Sequence, residues 1–221
     1  MSVVKATHSK METYKLGIIG EHDVGKTSFI TKYAQGAINL ELDSWYDSSL
    51  DKQINYQGEE ILISFQDFAP DFDVQMMHRS FRMSRGVILL YSVTNKASFE
   101  QLGMHREHTM QFMDQDIVPF VLVGNKIDEK TREVSTTEGQ EFATAIKSPF
   151  LEISVLTGEN MDQVVPLLLE TIKKTEKLKK KLAEKEKKRK RKNKSNCRLM
   201  CKSVINLNIL TFGFYPIFFY Y

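Results

Sequence analysis

The sequence predicts an α/β fold, a mostly parallel six-stranded sheet with helices on both faces. Three observations predict it. Short runs of apolar and β-branched residues alternate along the chain with segments of helical period. Two of these runs, GVILLYSVT and IVPFVLVGN, are apolar throughout, as strands buried on both sides are. A glycine-framed turn, GEHDVGKT at residues 20–27, stands between the first strand and the first helix.

In chain order, YKLGIIG from Tyr14 is a short buried strand. After the glycine-framed turn, TSFITKYAQG reads as a helix stopped at Gly36. DKQINYQGEEILISFQDF reads as two strands joined by a turn at Gln57-Gly58. Residues 74–84 read as helix, then GVILLYSVT as strand, SFEQLGMHREHTMQFM as helix and IVPFVLVGN as strand. TTEGQEFATAI opens with a cap-like Thr-x-Glu and reads as helix, FLEISV as a last short strand, and MDQVVPLLLETIKK as a last helix.

The chain has 221 residues, enough for one domain and an extension, and 42% are hydrophobic, enough for a full core. Both cysteines, Cys197 and Cys201, fall in the tail, so the globular part has neither a disulfide framework nor a cysteine metal site. The N-terminal MSVVKATHSKMETYK has no apolar run of signal-peptide length, which points to the cytosol. The net charge of +3 hides a division: in residues 173–221 Lys and Arg outnumber Asp and Glu by 16 to 3, so the remainder is acidic. A basic tail on an acidic domain suits an anionic partner for the tail alone.

Gly20 and Gly25 bracket a turn whose backbone N–H groups can point at phosphate oxygens. Lys26 can reach terminal phosphates, and the Thr27 hydroxyl can bind Mg²⁺. The intervening Glu21, His22, Asp23 and Val24, with Ser28 after, complete the candidate phosphate site. The second motif, Asn125-Lys126-Ile127-Asp128, ends a later strand. A carboxylate there accepts from the N1–H and exocyclic amine of guanine, a donor pair adenine lacks. The four histidines outside the loop, His8, His78, His105 and His108, form no ligand set and read as surface or packing residues, and Met76-Met77 as helix packing.

The order GxxxxGKT, Asp67 at the end of the third strand, NKID, then a serine-led turn resembles the Ras-like small GTPases, a P-loop NTPase fold. SRGVILLYSVTNKASFEQL is similar to the fourth strand and next helix of the Ras branch, and no room exists between Asp128 and Ser154 for the insert helix of the Rho branch. The resemblance covers residues 14–172. It implies a GTPase that binds GTP or GDP with Mg²⁺ and signals through effector and regulator proteins. By the resemblance, residues 20–28 hold phosphates, Asp67 supports Mg²⁺, and Asn125, Lys126, Asp128, Ser154 and Val155 surround guanine.

Departures gather at the γ-phosphate. Where the family has Asp-x-x-Gly-Gln, this chain has Asp67-Phe68-Ala69-Pro70-Asp71. The family glycine gives its N–H to the γ-phosphate, and Pro70 has none. The family glutamine orients the attacking water, and Asp71 in its place is shorter and anionic. The threonine that binds Mg²⁺ in the family falls on Trp45 by an ungapped count, or on Ser49 by a shifted one. His22 stands where most Ras proteins have glycine, the base-stacking aromatic is Ile38 or Leu40, and the Ser-Ala-Lys turn is Ser154-Val155-Leu156. Nucleotide-holding residues are kept and γ-sensing ones mostly lost, which implies impaired hydrolysis in a switch, or a nucleotide-bound adaptor that does not cycle.

The expected organisation is an N-terminal extension (1–13), the GTPase domain (14–172), a basic tail (173–196) and a C-terminal segment (197–221). KKRKRKNK suits anionic lipid, each basic residue contributing about 1 kcal/mol near a membrane surface. Cys197-Arg198-Leu199-Met200 resembles a prenylation box, but 21 residues follow it: either the chain is an extended form or the match is accidental. The apolar run from Val204 is marginal for a membrane span. The expected location is the cytoplasmic face of a membrane, the plasma membrane first, with the cytosol as alternative. The acidic domain argues against a nucleic-acid partner.

Overall fold

The computed structural model describes residues 11–38, 50–68, 81–115 and 117–211, with side chains described except at Phe68 and residues 191–211. Trp45, Ser49, Pro70, Asp71, Leu40, His8, His78 and Met76-Met77 lie outside the described residues, as does most of the helix expected over 74–84. The side chain of Cys197 and the chain beyond Thr211 are also outside them.

The strands are β1 (Glu12–Ile19), β2 (Leu50–Tyr56), β3 (Glu59–Phe68), β4 (Gly86–Ser92), β5 (Phe120–Asn125) and β6 (Phe150–Glu152). They form one sheet in the order β2-β3-β1-β4-β5-β6. Only the β2–β3 pair is antiparallel, and its hairpin turns through Gln57 and Gly58, both at positive φ. The helices are α1 (Lys26–Gln35), α2 (Lys96–Glu100), α3 (Leu102–Met113), α4 (Thr136–Ala145) and α5 (Met161–Thr211). The one helix expected over SFEQLGMHREHTMQFM is thus two, α2 and α3, meeting at Gln101.

Strand period 2 feeds two cores, one on each face. On β4, Ile88 and Leu90 face one cluster while Val87, Leu89 and Tyr91 face the other. On β5, Val121 and Val123 alternate in the same way with Phe120 and Leu122. The first core is covered by Phe29 and Ile30 of α1 and by Val164, Val165, Leu168, Leu169 and Ile172 of α5. The second is covered by Leu102 and Met113 of α3 and Ala143 of α4. This explains why the β4 and β5 sequences are apolar without alternation: neither face meets water.

Chain ends of the helices follow local chemistry. Gly36, at φ 82°, closes α1 by donating its N–H to the Lys32 carbonyl at 2.9 Å. The start of α4 differs from expectation. Its cap is Ser135, one residue before the Thr-x-Glu, in a reciprocal box with Glu138. The serine hydroxyl accepts the Glu138 N–H at 3.2 Å, and the carboxylate accepts the Ser135 N–H at 2.8 Å. A threonine at the first helical position cannot do this, because its own backbone is already helical.

The chain divides into two compact units, Met1–Thr175 and Glu176–Tyr221. The described residues of the second are helical. Among the described residues no helix is long and apolar enough to cross a membrane.

Glu138 gives the fold an acid-sensitive joint. Its bond to Lys96, and then the Ser135 N–H, hold its carboxyl down at about 2 from an ordinary 4.5. A depressed carboxyl stabilises the native state above its unfolded pKa and loses that contribution as pH falls through the folded one. Urea melts at stepped pH should show wild type losing stability between about pH 4.5 and 2, with Glu138→Gln less stable at pH 7 and the gap closing toward pH 2.

Candidate functional site

A cavity of about 800 Å³ opens beyond the carboxyl ends of β1, β3, β5 and β6. In an open parallel sheet that is where ligands bind, beside the strand from which the chain winds off in both directions, here β1. One end is lined by His22, Asp23, Gly25, Lys26, Thr27, Ser28 and Asp67. The other is lined by Asn125, Lys126, Asp128, Glu129, Val155 and Leu156, with Ile38 also at the wall.

The loop from Gly20 to Gly25 follows β1 directly, and its glycines are steric requirements. A Cβ on Gly20 would lie 2.0 Å from the Leu90 carbonyl oxygen. One on Gly25 would lie 2.5 Å from the Asn125 amide nitrogen, and Gly25 also sits at φ 98°. Val24 is fully buried between them and anchors the loop in the core. Lys26 begins α1 and folds back: its Nζ donates to the Gly20 carbonyl at 3.0 Å and the Glu21 carbonyl at 2.7 Å. Burial lowers its pKa, offset by the nearby carboxylates of Asp67, Glu21 and Asp23. A desolvated ammonium at the cavity wall is a strong attractor for an anion.

Thr27 Oγ1 donates to Asp67 Oδ2 at 2.7 Å, across 40 residues of sequence. A hydroxyl and a carboxylate at one corner of the cavity are the hard oxygen donors that Mg²⁺ takes in small number, leaving its other positions to water and phosphate. Among the described residues no group of three His, Cys, Asp or Glu is placed to hold a metal alone. Thr27 and Asp67 fit Mg²⁺ shared with a bound phosphate. Ser49, the other metal candidate, lies outside the described residues, as does Asp71.

At the far end, Asn125 is 3% exposed and joins three segments. Its Nδ2 donates to the Val24 carbonyl at 2.8 Å, and its Oδ1 accepts the Val155 N–H at 3.0 Å. Asp128 is held by Ser154, whose Oγ donates to Asp128 Oδ1 at 2.5 Å and accepts the Thr157 N–H at 2.9 Å. Asp128 itself is exposed. Lys126 takes φ 71°, which turns the chain sharply after β5. Gly20, Glu21, Val24 and Ser154 do not line the cavity; Gly20, Val24 and Ser154 shape the loops that do.

Two contacts here have no signal in the sequence. Lys32, on α1, donates to the Val155 and Leu156 carbonyls, both at 2.7 Å, pinning a loop more than 120 residues away. His105 is more than a packing residue. It is 4% exposed, and its Nε2 lies 2.7 Å from Glu21 Oε1. His108 is exposed against Phe112, as expected of a surface residue. Of Ile38 and Leu40, Ile38 is the one at the cavity wall, and Leu40 is outside the described residues.

The arrangement can hold a chain of phosphates at one end and a hydrogen-bonding ring at the other. A profile of the Ras family matches residues 15–174. The Ras-like protein rasB of Dictyostelium discoideum is 34% identical over 166 residues, covering 74% of this chain and 84% of its own. The Ras-like protein rasC of the same organism is 32% identical over 163 residues, covering 72% and 86%. Members of that family bind GTP and GDP, usually with Mg²⁺, and act with regulators and effectors. The chain thus belongs to the Ras family and is a Ras-like GTP-binding signalling protein of the small GTPase class.

Proposed function

We propose that the cavity takes GTP or GDP with Mg²⁺, that hydrolysis is slow, and that the protein signals as a weakly switching member of its family. The single observation that supports this most is the pairing of the two ends. Lys26, Thr27 and Asp67 gather at one end and Asp128 at the other, joined through Asn125. Phosphates would lie on the loop N–H groups and Lys26, and Thr27 and Asp67 would hold Mg²⁺, which neutralises phosphate charge. The carboxylate of Asp128, braced by Ser154, would take the guanine donor pair. Identifying the nucleotide that copurifies with the protein tests this directly.

Slow hydrolysis rests on the chain after Asp67. Pro70 has no N–H to give a γ-phosphate in any conformation, and Asp71 cannot offer water the paired donor and acceptor of a glutamine. These two residues also favour a second reading, an adaptor that keeps its nucleotide and does not cycle. The tail supports attachment to anionic lipid at the cytoplasmic face of a membrane, the plasma membrane first, because its charge is concentrated and predominantly basic.

Asp128→Asn should weaken GTP and favour xanthine nucleotides, since the substitution inverts the donor–acceptor pattern facing the base. The measurement is competition against a fluorescent guanine nucleotide. ATP competing as well as GTP in the unaltered protein would overturn guanine selection.

Single-turnover GTP hydrolysis at saturating Mg²⁺ should run roughly 10²-fold below ordinary Ras-like rates, the usual effect of losing one transition-state donor. Pro70→Gly with Asp71→Gln should recover more than either change alone. An ordinary rate in wild type would return the protein to the cycling class.

A chain ended at Met200 and farnesylated should partition to anionic vesicles, and Cys197→Ser should abolish this. Prenylation of the full chain without proteolysis would contradict the tail assignment.

A further inference from the structure

The loop that would cradle phosphates carries two acids of its own, Glu21 and Asp23. Asp23 lines the cavity, but Glu21 does not, although it is next to His22, which does. Glu21 is turned aside onto α3, where His105 Nε2 meets its Oε1 at 2.7 Å. A carboxylate only accepts, so His105 Nε2 carries the proton and donates it. The histidine is fixed for this task. Its side chain is 6% exposed, and its backbone bonds to Gln101 at 3.1 Å and to the Thr109 hydroxyl at 2.7 Å lock it in the helix. Glu21 is 29% exposed and has room to move. Its own carbonyl already touches Lys26 Nζ at 2.7 Å, so a released carboxylate would swing beside the ammonium that faces the cavity.

We propose that His105 is a positioning residue of the nucleotide site, which keeps the Glu21 carboxylate parked on α3 and out of the phosphate end of the cavity. A parked Glu21 acts on Lys26 only as a nearby charge, with its carboxylate bonded to His105 instead. A freed Glu21 competes with phosphate for Lys26 and repels it by like charge. His105 touches neither ligand nor metal; it acts through Glu21 alone. The inference rests on the nucleotide reading above and adds a residue to it from a helix that contributes nothing to the cavity lining.

The test is equilibrium binding of a fluorescent GDP analogue with Mg²⁺ to the full chain, as wild type and as His105→Leu, Glu21→Ala and the double variant. Leucine fills the buried space without donating. His105→Leu should bind roughly tenfold more weakly, as expected for one uncompensated charge near the phosphates. Glu21→Ala and the double variant should bind alike, and both more tightly than His105→Leu, because neither has a carboxylate left to park. His105→Gln, which keeps a donor, should stay near wild type. If His105→Leu fails to fold, His105→Asn, polar but too short to reach Glu21, replaces it in both arms. Weak binding by Glu21→Ala alone would show that the bond is a mechanical tether, and would overturn the proposal. Weak binding by the double variant would assign the loss to the core packing of His105, and would also overturn it. Equal binding by wild type and His105→Leu refutes this inference alone; a wild type that binds no guanine nucleotide refutes the reading beneath it as well.

Discussion

One buried amide holds the site together. The Asn125 side chain, at the end of β5, spans from the Val24 carbonyl of the phosphate loop to the Val155 N–H of the loop after β6. Neither contact is replaceable by water, because Asn125 is 3% exposed and Val24 is fully buried. Leaving such groups unpaired costs about 1–3 kcal/mol each. Gly25 makes room for the amide, and Gly20 lets the loop rest on the Leu90 carbonyl. The two ends of the cavity therefore keep a fixed separation, set by a core side chain and not by the ligand.

Charge is distributed to suit that geometry. Lys26 is the desolvated cation of the phosphate end, and its own loop carbonyls hold it until an anion arrives. The acids of the two ends have separate places: Asp67 with Thr27, Asp128 with Ser154, and Glu21 with His105. Asp23 remains at the cavity wall. A cavity with this many carboxylates suits a phosphate ligand only while most of them are engaged elsewhere, which makes their partners part of the site. Lys32 holds the loop at the other end by donating to the Val155 and Leu156 carbonyls.

Residues that match the family pattern and residues that depart from it fall in different stretches of the chain. The groups that would hold nucleotide sit at strand ends and on α1, backed by two packed cores. The altered ones, Pro70 and Asp71, follow the last residue of β3, Phe68, in sequence.

The strands, the glycine-framed loop after β1 and the Asn-Lys-x-Asp stretch after β5 were legible in the sequence because each is a local pattern. Apolar runs mark buried strands, a Gly-x₄-Gly-Lys-Thr frame marks a turn with inward N–H groups, and Asn-Lys-x-Asp marks a strand end. Even so, local reading misplaced the cap of α4 by one residue and merged α2 with α3, where the decisive hydrogen bonds fall between neighbouring candidates. Only the tertiary structure decided which distant side chains meet. The His105–Glu21 bond spans 84 positions and the Lys32 bonds 123 and 124. No period or motif encodes such pairs, because they form between elements whose adjacency is set by strand order and by packing on the two faces of the sheet. A buried histidine on a helix looks, in sequence, like any residue on its apolar stripe; the carboxylate that gives it a role comes from the other side of a loop.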